Sequence, residues 1–203
     1  MDINLIRLGK RFESGWVLRN ITMNIPAGSH ISITGPNGSG KSTLLQLICG
    51  YLTPSAGQVK YLLSDSEIHR DQIFKYCSIS AAYMELEEEL TPKELFQHYK
   101  IFKPLLVSDY TTFISQVELL KEGDKQIRFF SSGMKQRLSL GLAMMMDVPL
   151  LFLDEPSSFL DAEKKAWFLQ MLDKYGSGKT VLIASNDDED LKTCKLNIDL
   201  QYN

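Results

Sequence analysis

The 203-residue sequence predicts an α/β fold in which a parallel core carries a phosphate-cradling loop, faced by an antiparallel β-layer and extended by a helical sub-lobe. Three observations predict it. Gly35-Pro36-Asn37-Gly38-Ser39-Gly40-Lys41-Ser42-Thr43 has the spacing of a Walker A loop and lies between strand-like Ile31–Thr34 and helix-like Thr43–Cys49. A continuous apolar run, Pro149–Leu153, ends in Asp154-Glu155, as a strand buried on both faces would. Residues 85–130 change to polar, helix-compatible text.

The elements follow in order. Asn4–Leu8 and Val17–Ile25 read as strands joined through Glu13-Ser14-Gly15, and Pro26-Ala27-Gly28 turns into the strand before the loop. Phe12 and Trp16 flank the first turn. Either could stack on a nucleotide base, and both could equally be β-layer aromatics. After the Walker helix, Gly50 caps, Pro54 blocks continuation, and Gly57–Tyr61 begins a strand. Ser64–Lys75 is polar and helix-compatible, and Tyr76–Ser80 suits a buried strand. In the insert, Thr91-Pro92-Lys93-Glu94 starts a helix through Phe102, Pro104 ends it, and Asp109–Leu120 supplies another. The acidic run Glu85, Glu87, Glu88 and Glu89 reads as a solvated face. Ser131-Ser132-Gly133 opens a helix to Met146. Asp161 caps a helix over Ala162–Tyr175, Thr180–Ala184 is a β-branched core strand, and Leu196–Tyr202 alternates as a terminal strand.

Length and composition suit one domain, residues 1–203, with the sub-lobe at 85–130. Net charge is -3, so no basic field recruits nucleic acid, and none is expected as a partner. Cys49, Cys77 and Cys194 are widely spaced among apolar residues, which suits reduced thiols in a cytoplasmic protein. No targeting segment is expected, and the most apolar span, Leu138–Leu153, is broken by Asp147 and Pro149.

The residue types define the chemistry. Glycines at 35, 38 and 40 let successive backbone N–H groups point inward at phosphate oxygens, and the helix start adds partial positive charge. Lys41 would reach the β- and γ-phosphates, Ser42 would ligate Mg²⁺, and Thr43 would bond a phosphate nearer the sugar. Two carboxylates at the C-terminal end of a buried strand are costly without a ligand. Asp154 is placed to hold Mg²⁺ through water and Glu155 to polarise an attacking water.

The ordered set of Walker loop, Ser-Ser-Gly-Met-Lys-Gln-Arg at 131–137 and Leu-Leu-Phe-Leu-Asp-Glu-Pro-Ser-Ser-Phe-Leu-Asp at 150–161 resembles the ATP-binding subunits of ABC transporters across essentially the whole chain. The resemblance implies ATP and Mg²⁺ as cofactors, a P-loop NTPase core, and a homodimer or heterodimer sandwiching nucleotide. It further implies a transmembrane permease partner that holds the chain against the cytoplasmic membrane. Phe130–Met134 looks like the family's signature, with Ser131 and the Gly133 backbone contacting the γ-phosphate held by the opposite subunit. Ser158–Asp161 looks like the D-loop, and Phe12 aligns with the aromatic that stacks on adenine.

The signature departs from the usual form at Ser132 and Met134, a variant that resembles export systems. The Q-loop glutamine position is Ala82, with Glu85 three residues beyond, and the switch histidine position is Asn186; none of His30, His69 and His98 falls there. Asn186 can still donate to a γ-phosphate oxygen but has no imidazole to orient Glu155 and water together. The expectation is a slow ATPase, more an exporter's than an importer's. The alternative is a hydrolysis-deficient ATP-binding module that gates a partner.

Overall fold

The computed structural model describes residues 1–64, 66–81 and 83–201. Ala82, the Q-loop position, and Tyr202, the expected end of the last strand, lie outside the described residues.

A long hairpin, β1 (Asp2–Phe12) and β2 (Gly15–Ile25), leads through the Pro26 turn into β3 (His30–Thr34), the loop, and α1 (Lys41–Ile48). Then come β4 (Ala56–Leu63), β5 (Ser66–Ile68), a 3₁₀ turn (Arg70–Lys75) and β6 (Cys77–Ala81). The Ser64–Lys75 stretch is therefore not one helix. Its start pairs on the edge of β4, where Leu62 faces Glu67, and only its second half coils. The insert holds α2 (Pro92–Phe102) and α3 (Tyr110–Gln116). Beyond Gln116 the α-turns stop short of Leu120, which begins a separate 3₁₀ turn. Then follow α4 (Ser132–Met145), β7 (Leu150–Asp154), α5 (Ala162–Gly176), β8 (Thr180–Ala184) and β9 (Leu196–Asp199).

Two sheets result: antiparallel β2-β1-β4-β5 and parallel β6-β7-β8-β3-β9. The parallel sheet is buried on both faces, and side-chain alternation shows how. Leu151, Leu153, Val181 and Ile183 pack with Leu138, Phe168 and the helical insert. Leu150, Phe152, Leu182 and Ala184 pack on the other side with Leu44, Leu45 and the antiparallel layer. Period-two alternation with both sets apolar is why these strands read as unbroken hydrophobic runs. At roughly 1.5–3 kcal/mol for each fully buried large side chain, this sandwich supplies the main fold-stabilising term.

Local chemistry sets the helix starts. Thr91 and Glu94 form a reciprocal capping box with Pro92 in the first turn, and Asp109, Ser131 and Asp161 each accept a backbone N–H at the starts of α3, α4 and α5. The acidic run is exposed but not unpartnered: Glu88 pairs with Lys135 of α4, and Glu89 lies 3.3 Å from Arg128. These contacts tie the segment after β6 to the residues around the start of α4.

Lys179 is 6% exposed and donates to the carbonyls of Met144 and Met146, each at 2.6 Å, closing the end of α4. Burial pushes its pKa down to about 8 from 10.5. Between those values the unfolded chain holds more protons, so the Lys179 contribution makes stability rise with pH over this window and level off above it. The stability difference between wild type and Lys179→Met, followed by denaturant unfolding, is expected to change in favour of wild type by on the order of 2–3 kcal/mol from pH 8 to pH 10.5. A flat difference refutes the burial argument.

Candidate functional site

The site forms at the C-terminal edge of the parallel sheet, where β3, β7 and β8 end side by side. Gly35, Gly38 and Gly40 adopt φ of 146°, 83° and 101°, a backbone that L side chains rarely take. The loop curls tightly enough that a Cβ on Gly35 would lie 2.6 Å from Ser39 Oγ, and one on Gly40 would meet Val17 and Leu18 of β2. Side chains at these glycines would break both the curl and its seat on the β-layer.

Lys41, 7% exposed, donates to the Gly35 carbonyl at 2.9 Å and faces Glu155 Oε1 at 3.9 Å. Its ammonium is thereby held between the start of the loop and the carboxylate that follows β7. Asp154 is 3% exposed, and both of its carboxylate oxygens are buried without a hydrogen-bond partner. Burial pushes its pKa up, opposed by the neighbouring Ser42 hydroxyl and then by Lys41. The Ser42 hydroxyl lies beside the carboxylate without forming a hydrogen bond to it. Such an orphaned buried pair of oxygens beside a hydroxyl fits a divalent cation. Among the described residues no group of three or more His, Cys, Asp and Glu gathers for a metal, so Asp154 and Ser42 would leave the remaining positions to phosphate oxygens and water. Ser39 Oγ is likewise buried and unpartnered within the loop.

Glu155 has φ +48°, rare for a residue with a side chain, and its N–H donates to the Ala184 carbonyl at 2.8 Å. The strain turns its carboxylate out of the strand direction, beside Lys41. Burial pushes its pKa up, Lys41 pulls it down, and the Asp154 and Asp190 charges push it up again.

Asn186 is exposed, and its side-chain amide donates to Asn37 Oδ1 at 3.0 Å, joining the loop after β8 to the Walker loop. Pro36, Asn37 and Gly38 are exposed, while Ser42 and Thr43 are half-buried at the start of α1. Phe12 is 41% exposed with Lys10 Nζ 5.1 Å from its ring centroid, and Trp16 is 39% exposed with Arg19 over its ring. Both lie at the hairpin end next to Val17 and Leu18, which seat Gly40.

The signature and D-loop residues form a second group. Ser131 is exposed and accepts the Met134 N–H at 3.3 Å. A Cβ on Gly133 would lie 3.0 Å from the Phe159 carbonyl, and buried Gln136 donates to the Pro156 carbonyl at 2.6 Å. The start of α4 is thus packed on the loop after Glu155. The Asp161 carboxylate is engaged as the cap of α5, accepting the Lys164 N–H at 2.9 Å. Among the described residues no hydrogen bond links Ser131, Gly133 or Asp161 to residues 35–43.

Sequence reasoning missed Ser157, Ser185 and Asp190. Ser185 and Asp190 are joined by a hydrogen bond of 2.7 Å, and Ser157 lies beside the same carboxylate. Their spacing matches no motif, because the turn at 187–190 brings Asp190 back to Ser185 and the pairing of β7 with β8 brings Ser157 alongside.

Comparison with known proteins places the site in context. The family described as ABC transporter matches residues 18–158. The lipoprotein-releasing system ATP-binding protein LolD of Leptospira interrogans is 26% identical over 98% of this chain and 88% of its own length. The spermidine/putrescine import ATP-binding protein PotA of Fusobacterium nucleatum is 28% identical over 93% of this chain, which spans only 52% of that protein. Among solved structures, the dimeric bacterial ABC transporter cassette MJ0796 superposes with a TM-score of 0.83 over 98% of this chain and 94% of that one, at 24% identity, a likeness of fold. MJ0796 has also been solved in a post-hydrolysis state bound to ADP and Pi.

Proposed function

The chain belongs to the ABC transporter family, and from that membership we propose that it is the ATP-binding, ATP-hydrolysing subunit that powers a transporter, with slow turnover. The observation that carries this reading is the convergence of a strained Glu155, a buried Lys41 and an orphaned Asp154 around one glycine loop.

Residues 35–43 would receive the ATP phosphates, with backbone N–H groups and Lys41 offsetting their charge. Asp154 and Ser42 would hold Mg²⁺, which supplies charge neutralisation on the β- and γ-phosphate oxygens when bound. Glu155 would accept the proton of the attacking water in an in-line displacement at the γ-phosphate. Ser131 and Gly133 face outward at the start of α4, which supports their use by ATP held on a second subunit, and the D-loop through Asp161 would share that face. A head-to-tail dimer, of like or unlike subunits, completes two such sites. The Ser132 and Met134 signature supports an exporter, although relatives include both a releasing and an importing system.

A transmembrane permease is the proposed partner, from membership of the ABC transporter family; no helix among the described residues is long and apolar enough to cross a membrane. A groove of about 570 Å³ lined by Tyr51, Phe74, Tyr83, Met84, Tyr99 and Lys103 supports its docking there. Tyr51 and Phe74 are 78% and 59% exposed, a large apolar surface to leave uncovered.

Steady-state phosphate release from purified protein, measured beside ATP-dependent dimerisation, tests the reading. Slow release with dimerisation supports it. Dimerisation without release favours the second reading, a hydrolysis-deficient module that gates a partner. That reading has its own observation: the Asn186 amide, the group left at the switch position, is already bonded to Asn37.

Phe12 is proposed to stack on adenine. Phe12→Ala is expected to weaken binding of a fluorescent ATP analogue by about 1–3 kcal/mol, with Trp16→Ala close to wild type. The reverse ranking would assign the stack to Trp16.

A further inference from the structure

Asp190 is an acidic residue only 2% exposed that the proposed chemistry does not use. Its Oδ2 accepts the Ser185 hydroxyl at 2.7 Å, and Ser157, itself 2% exposed, lies beside the same carboxylate. Ser185 follows β8, and Ser157 lies two residues past Glu155 on the loop that continues to Asp161. One buried carboxylate therefore sits between the loops leaving two neighbouring strands, bonded to Ser185 on one and packed beside Ser157 on the other.

Glu155 stands between these anchors. Ser185 Oγ lies 3.4 Å from Glu155 Oε2, accepts the Asp187 N–H at 3.0 Å, and Asp187 is in turn paired with Lys165 of α5. A hydroxyl has one proton to give, and the 2.7 Å contact to Asp190 takes it. Ser185 Oγ is thereby held in place and limits the Glu155 carboxylate on one side by contact at 3.4 Å, not by a hydrogen bond. The next residue, Asn186, points its amide at Asn37.

We propose that Asp190 is a positioning residue for ATP hydrolysis, holding Ser185 by its hydrogen bond and filling the space beside Ser157, so that Glu155 and the loop toward Asp161 keep one relative placement. The inference rests on the hydrolytic reading above. Replacing the buried carboxylate by an amide removes the charged acceptor that holds the Ser185 proton and puts a donor in its place, so Ser185 can rotate toward Glu155, and misplacement of a base by about 1 Å costs up to about 10²-fold.

The test compares wild type, Asp190→Asn, Ser185→Ala and the double variant for kcat, KM and nucleotide affinity, with thermal unfolding to verify folding. Asp190→Asn is expected to lower kcat about ten- to a hundredfold with ATP affinity within about twofold. Ser185→Ala should lower kcat in the same direction, and the double variant should be no slower than the worse single variant, since both act on one unit. Additive losses, an unchanged kcat, or a loss confined to KM overturns the proposal. If wild type itself releases no phosphate, the hydrolytic reading alone fails. Amide hydrogen exchange then decides on the same variants: joint loss of protection at 157–160 and 185–187 in Asp190→Asn, with β6 unchanged, supports the clamp, and unaltered protection refutes it.

Discussion

Glu155→Gln is expected to lower steady-state phosphate release by about 10²- to 10⁴-fold while ATP binding is retained. The amide matches the carboxylate in shape and keeps the backbone at φ +48°, so the loop geometry survives. What it loses is basicity. Burial already pushes the Glu155 carboxyl up, toward the range where a carboxylate takes a proton from water more readily, and an amide oxygen cannot do so. Lys41 Nζ, 3.9 Å away, would then face a neutral group and remain free for phosphate. Phosphate release unchanged in this variant would remove Glu155 from the base role.

Lys41→Met is expected to weaken ATP binding by about 2–5 kcal/mol, roughly 30-fold or more, and to abolish measurable turnover with it. Its ammonium is 7% exposed and anchored on the Gly35 carbonyl, so it is placed before nucleotide arrives and little ordering entropy remains to be lost. Methionine keeps the length and the buried stem but leaves the carbonyl and Glu155 without a cation. Titration with a fluorescent ATP analogue reads the loss directly, and circular dichroism verifies that α1 still forms. An affinity equal to wild type would mean that the loop backbone alone holds the phosphates.

The candidate site was legible in part because its defining signals are local. Glycines at 35, 38 and 40 announce a loop that needs positive φ, and all three adopt it. Thr91 to Glu94 announces a cap, and the cap forms as read. The run ending in Asp154-Glu155 announces a strand buried on both faces, because no polar alternation interrupts it. Less was legible where a segment's state depends on its neighbour. Ser64–Lys75 divides into an edge strand and a 3₁₀ turn because β4 offers a free edge to its first residues. The run of glutamates reads as solvated face, yet Glu88 and Glu89 find Lys135 and Arg128 from residues some 40 positions away.

By itself the sequence determined the α/β class, the phosphate loop, the helix starts and the family. These follow from glycine spacing, capping chemistry and hydrophobic period, which act within a few residues. Tertiary structure alone decided that Asn186 would bond Asn37 across 149 positions, that Asp154 would be left without a partner, and that Asp190 would bond Ser185 beside Ser157. Those outcomes require β3, β7 and β8 to end side by side, and side-chain direction at the ends of parallel strands is set by that register and burial rather than by any local pattern.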